Sequence, residues 1–260
     1  MKSKRKKYLI TAGCSFTETI TGVETWPMHL IQRMQGYELV SKGMGSQGNG
    51  LISRSVIYEV TNKLKQTTSE NIIAGIMWSG PNRHESHISI DRVPASPWKN
   101  DDNWIVNPTG FIEGYNTWEI INHWWTRPKS KLYYKEFHDP IGDYIQTLEH
   151  ILRTQWFLEK HNIKYFMSTF TSEVIPEVLK SIDNAASEGA EKFLEHNKRK
   201  YNELIHLYEL IDFSKFLPIS GMHEWAKQTG LPLMPNNAIH PTPKQHEMFV
   251  DKVILPFGFK

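Results

Sequence analysis

The stretch Ile72-Ile73-Ala74-Gly75-Ile76-Met77-Trp78 is an unbroken apolar run with no charged side chain in it. A run of that length without alternation reads as a strand buried on both faces, which demands a parallel sheet around it and helices above and below. Two other runs fit the same sheet, Tyr8-Leu9-Ile10-Thr11-Ala12 and Tyr37 to Val40, and a fourth candidate is Ile163 to Met167. Helical patterns separate them: a stretch from Trp26 to Met34, a stripe at Ile52, Val56, Val60 and Leu64, and another at Ile141, Ile145, Leu148, Leu152 and Trp156. Strand and helix alternate, so the expected fold is α/β, three layers (α/β/α) around a parallel sheet of about five strands.

In such a sheet the loops that leave the strands gather at one edge, and here they carry reactive side chains. The first strand runs into Gly13-Cys14-Ser15-Phe16, the second into Gly43-Met44-Gly45-Ser46-Gln47-Gly48-Asn49-Gly50, and the third into Ser79-Gly80-Pro81-Asn82-Arg83. A serine hydroxyl needs a base within hydrogen-bond reach before it can attack a carbonyl. The chain offers one near its far end, in Asn237-Ala238-Ile239-His240-Pro241. The next residues, Thr242-Pro243-Lys244-Gln245, combine a capping Thr, Pro at the first helical position and Gln three residues on. A helix therefore starts just after His240, leaves the His on a loop, buries Phe249, Val250, Val253 and Ile254, and stops before Pro256 and Gly258. An Asn amide and Gly N–H groups converging on Ser15 would form an oxyanion hole.

These blocks together resemble the SGNH (GDSL) hydrolase family, which is named for Ser, Gly, Asn and His in separated segments. The resemblance implies a flavodoxin-like sheet, Ser15 as nucleophile and His240 as base. It also implies an oxyanion hole made by the Ser15 N–H, a glycine of the second block and Asn82. Gly45 is the preferred glycine and Gly48 the alternative. Cys14 and Arg83 stand where the family usually has Asp, and Asn237 stands where its triad acid would be. A neutral amide accepts the His N–H without stabilising an imidazolium by charge; in a serine triad that exchange costs about 10⁴ in turnover.

Three roles for the orienting position follow: Asn237 itself, another carboxylate such as Asp212 or Asp251, or a site that has become a weak enzyme or a binding relic. The expected activity is an ester hydrolase acting through an acyl-enzyme on Ser15, with a small-molecule, carbohydrate or lipid ester as substrate. A thiol mechanism on Cys14 is the rival chemistry. Two readings lie outside hydrolysis: a flavodoxin-like module whose Thr11 to Thr17 turn holds phosphate or a cofactor, and a noncatalytic protein that binds a glycan or a partner.

At 260 residues, 39% of them hydrophobic, the chain suits one α/β domain over residues 1–260 with insertions. One insertion, at about 84–139, is rich in Trp (Trp98, Trp104, Trp118, Trp124, Trp125) and Pro, shows no sustained period, and reads as an irregular lid-like segment. The other, at about 172–210, reads as helical with a break near Ala185 to Ala190. A net charge of +2 gives no footprint for nucleic acid. The single cysteine fits a reducing compartment. The basic residues Lys2 to Lys7 precede an apolar run shorter than the roughly 7–15 residues of an export signal, and no stretch has the length of a membrane span. A cytoplasmic protein without membrane contact is expected. His84 and His87 lack a third ligand at metal-site spacing, and no nucleotide-binding glycine motif is present, so neither metal nor cofactor is expected.

Overall fold

The computed structural model describes residues 6–19, 22–88, 105–106, 117–123, 128–175, 202–235 and 239–259. Its centre is a parallel sheet of β1 (Lys7–Gly13), β2 (Tyr37–Gly43), β3 (Ile72–Trp78) and a fourth strand at Lys164–Thr169, in the spatial order second, first, third, fourth. The register is continuous across it, with Leu9 opposite both Leu39 and Ile73. Every residue of β3 is buried, as its uninterrupted apolar sequence requires. Past the fourth strand, a parallel bridge between Met167 and Phe216 continues the sheet.

Helices cover both faces. α1 (Trp26–Arg33) packs with a C-terminal helix at Pro243–Phe249, and α2 (Asn49–Leu64) packs with a long helix at Pro140–Lys160. Ile52, Val56 and Val60 are all fully buried, so the stripe read from the sequence is the face α2 presents to the sheet. On the other face Trp26 meets Phe166 edge-on at 5.7 Å. Gly75 makes room for that pair, because a Cβ there would sit 2.6 Å from the Phe166 ring. Trp156 departs from its stripe: it is 52% exposed, and Ile151 and Leu158 take the buried positions around it.

The segment after β3 is more regular than its sequence suggests. β4 (Arg83–Ile88), β5 (Ile105–Val106) and β6 (Thr117–Asn122) form a second, antiparallel sheet in the order β4-β6-β5, followed by α3 (Pro128–Glu136). Its strands carry His, Glu, Ser and Arg where apolar alternation would have marked them, which is why no period was legible. His84 and His87, three apart on a strand, point to opposite faces and cannot share a metal. Among the described residues no group of three or more His, Cys, Asp or Glu is arranged to hold one.

The long helix at Pro140–Lys160 is α4 and the fourth central strand, Lys164–Thr169, is β7. α5 (Asn202–Glu209), α6 (Met222–Gln228) and α7 (Pro243–Phe249) complete the described chain. Rather than stopping before Pro256, α7 runs on through a π-helical stretch, Val250–Ile254, and a last turn, Leu255–Phe257, to Gly258. Pro256 falls in the first positions of that turn, just past the π-helical stretch. Most of the Trp-rich insertion, including Trp98, Trp104, Trp124 and Trp125, and the break near Ala185 to Ala190 lie outside the described residues. Among the described residues no helix is long and apolar enough to cross a membrane.

Candidate active site

The strand order reverses direction between β1 and β3, one leading outward to β2 and the other to β7. In open α/β sheets the crevice at the carboxyl ends of the strands flanking such a reversal is where ligands bind. Ser15 follows β1 and Asn82 follows β3, so both fall at that crevice.

Ser15 is half-buried, and its Oγ lies 2.8 Å from His240 Nε2, across 225 residues of chain. The β1 loop is closed by a bond from the Thr17 N–H to the Cys14 carbonyl, at 2.9 Å. α1 begins only at Trp26, so no helix N-terminus stands directly at this turn to cradle phosphate. Cys14 is fully buried in the core, and the imidazole is given to Ser15.

His240 is held by its surroundings. Thr242 and Gln245 form a reciprocal capping box at the start of α7. Gln245 Nε2 then donates to the carbonyls of Ala226, at 2.9 Å, and Leu231, at 3.2 Å, tying the His loop to α6. The His223 Nδ1–H donates to the Ile239 carbonyl at 2.9 Å, and Phe16 lies against the imidazole with centroids 4.9 Å apart. Burial lowers the His240 pKa below the ordinary histidine value, and the charges of Arg83 and His223 lower it further. The ring is thus neutral at neutral pH and able to accept the Ser15 proton.

Its other nitrogen, Nδ1, is buried and has no hydrogen-bond partner among the described residues. Asn237, where the resemblance puts the orienting group, lies outside those residues. The alternative carboxylates are committed elsewhere: Asp251 pairs with Arg33, and Asp212 accepts from the Ser214 N–H at 2.9 Å.

The second loop is where the structure departs most from expectation. The Gly45 N–H donates to Glu18 Oε2 at 3.1 Å, so this glycine does not offer its N–H to Ser15. Gly48 is the N-cap of α2 and presses against the third loop; a Cβ there would come within 2.4 Å of the Arg83 carbonyl oxygen. Ser46, between the two glycines, is in the left-handed region at φ 64°, a conformation an L-residue keeps only where its surroundings impose it.

Asn49 and Gln47, not marked by the sequence reading, bind the loops together. Asn49 accepts from the Ser79 N–H at 2.7 Å and donates to the Ser79 carbonyl at 3.0 Å, while Gln47 Nε2 donates to the Gly13 carbonyl at 3.3 Å. Asn82 Nδ2 is 3.0 Å from His123 Nδ1, and the Asn82 carbonyl accepts from the Tyr134 hydroxyl. Arg83 Nη1 donates to Ser79 Oγ at 2.8 Å, and its guanidinium lies 4.8 Å over Phe170. Polar residues inside a Gly-rich loop were the available signal for Gln47 and Asn49.

No protein-family model and no curated protein matches the sequence. Among solved structures, the chain is similar over 95% of its length to a member of the lipolytic protein G-D-S-L family from Veillonella parvula, at 12% identity, 95% coverage of that chain and a TM-score of 0.41. It is similar over the same share to a protein described as lipolytic, of the G-D-S-L family, from Desulfitobacterium hafniense, at 13% identity, 97% coverage of that chain and a TM-score of 0.39.

Proposed function

We propose that this protein is a serine-dependent ester hydrolase, with Ser15 as nucleophile and His240 as general base. The observation that carries the reading is the 2.8 Å contact between Ser15 Oγ and His240 Nε2 at the crevice of the sheet. Ser15 Oγ attacks the acyl carbonyl carbon while His240 Nε2 takes the hydroxyl proton. The developing oxyanion is held by the Ser15 N–H, the Asn82 side-chain amide and the Gly48 N–H, Gly45 being engaged with Glu18. The imidazolium returns its proton to the departing alkoxide, leaving an acyl-enzyme. Water, deprotonated by the same imidazole, then releases the carboxylic acid and restores the hydroxyl.

Asn237 is the orienter in this scheme, accepting from Nδ1–H through its amide oxygen. The substrate is a small-molecule, carbohydrate or lipid ester, and the single, buried cysteine favours a cytoplasmic place of action.

The test is hydrolysis of p-nitrophenyl acetate and butyrate by the wild type, Ser15→Ala and His240→Ala, with fluorophosphonate labelling of all three. Either substitution is expected to lower kcat by roughly 10⁴–10⁶-fold, and Ser15→Ala to abolish labelling. Wild-type protein that neither turns over nor labels would overturn the reading.

A further inference from the structure

A cavity of about 640 Å³ is lined by Asn82, Phe170, Ile239, His138 and Asp143; Ile239 precedes His240, and Phe170 packs on Phe16, the ring that lies against His240. Asp143 sits in the first turn of α4, and its side chain is only 4% exposed. One carboxylate oxygen is 2.8 Å from His138 Nε2 and the other 2.9 Å from His84 Nε2. His84 is enclosed, with the Tyr133 ring 4.8 Å away, whereas His138 keeps 25% of its side chain exposed.

An ionised carboxylate only accepts, and two lone pairs at such a distance would repel, so Nε2 of His138 carries the ring proton. In the neutral ring, Nδ1 is then an acceptor. His138 also lies 5.1 Å from Tyr134, the residue whose hydroxyl binds the Asn82 carbonyl, so one tyrosine links it to the loop bearing the Asn82 amide. Asp143 thus holds in one orientation an imidazole that stands at the cavity wall. The hydrolytic steps above leave His138 unused.

We propose that His138, held by Asp143, is a specificity-determining residue that accepts a hydrogen bond from a hydroxyl near the scissile ester, so that partly acylated polyols are preferred over plain alkyl esters. The proposal rests on the ester-hydrolase reading. Asp143 is the positioning residue; His138 makes the contact.

Glycerol monoacetate and propyl acetate share a carbon skeleton and differ in the hydroxyls, which makes them the test pair. His138→Phe keeps the ring against Tyr134 and removes the acceptor. It is expected to lower kcat/KM for glycerol monoacetate about tenfold, mainly through KM, and to change propyl acetate less than twofold. His138→Gln, which restores an acceptor, is expected to recover part of the loss, and thermal melts of each variant check folding. Equal effects on both esters, or none on glycerol monoacetate, overturn the proposal. Ligand-observed NMR on Ser15→Ala protein, with and without His138→Phe, separates this from failure of the hydrolase reading. Selectively weaker glycerol monoacetate binding supports the His138 contact even where no turnover or labelling occurs, and unchanged binding refutes it.

Discussion

At the scale of single residues, the chemistry turns on how His240 is held. His240 is neutral and aimed at Ser15, yet its buried Nδ1 has no partner among the described residues. In the proposed scheme the orienter is Asn237, an acceptor without a charge, so the imidazolium formed during attack would be stabilised less than in a triad with a carboxylate. Asn237→Asp is therefore expected to raise ester turnover about tenfold or more and to lift the His240 pKa. Because the base works deprotonated and its pKa lies below the ordinary value, the acid limb of kcat/KM in the wild type falls below about pH 6.5. In Asn237→Asp the limb shifts upward. A pH–rate profile on p-nitrophenyl acetate measures both effects, and a collapse of Asn237→Asp to the level of Ser15→Ala would remove Asn237 from the role. The Ser15–His240 contact was legible because a hydroxyl after one strand and a loop His near the far end of the chain are the residue types such a pair needs. The engagement of the Gly45 N–H was not, since it depends on Glu18 reaching across from the first loop.

At the scale of elements, the site depends on how loops are tied. Asn49, at the start of α2, is 2% exposed and holds both backbone groups of Ser79, fixing the third loop against the second. Asn49→Ala would leave a buried N–H and C=O unmatched at a point three residues before Asn82. A stability loss of about 1–3 kcal/mol is expected, together with a larger fall in kcat than in substrate affinity, because the displaced group is Asn82. Denaturant unfolding and steady-state kinetics on one preparation check this; unchanged kcat with lowered stability would confine Asn49 to a structural part. The elements that could be read beforehand were those with strict patterns: β3 as an unbroken apolar run, α2 by its stripe, α7 by its cap. The β4-β6-β5 sheet escaped because its pairing is spelled in residues such as His84, Glu85 and Glu119, whose partners sit on other elements. The π-helical continuation of α7 escaped for a similar reason, since Pro256 looks like a stop unless the preceding turn has already shifted its bonding.

At the scale of the whole molecule, the same packing that keeps His240 neutral buries other ionisable groups, and their linked titrations set how stability varies with pH. His246 is 1% exposed and accepts the Trp26 N–H through Nδ1; burial lowers its pKa to about 3. Burial lowers His150 likewise to about 3, aided by Arg153 and Arg54. Each of these bases contributes stability that is whole above its unfolded value near pH 6.5 and is lost as pH falls towards 3. Glu85 acts in the opposite sense. Its side chain is 6% exposed, and burial raises its pKa from 4.5 to about 7 against the pull of Arg54, 3.0 Å away. The folded state therefore binds the Glu85 proton more tightly than the unfolded chain, and stability is lost as pH rises from 4.5 to 7. Between about pH 5 and 6 the two histidines and Glu85 oppose each other, and these three groups together contribute a slope of about one proton; below pH 4 the Glu85 contribution is gone and that of the two histidines remains. Glu85→Gln removes the opposing titration, so the slope of unfolding free energy between pH 5 and 6 is expected to steepen by about 1.4 kcal/mol per pH unit. Well above pH 7 stability shifts by a constant in that variant, whatever the loss of the Arg54 contact costs, because Glu85 is then ionised in both folded and unfolded states. Urea unfolding at half-unit steps from pH 4 to 8 measures both slopes, and an unchanged slope between pH 5 and 6 in Glu85→Gln would show that Glu85 is ionised in the folded protein across that range.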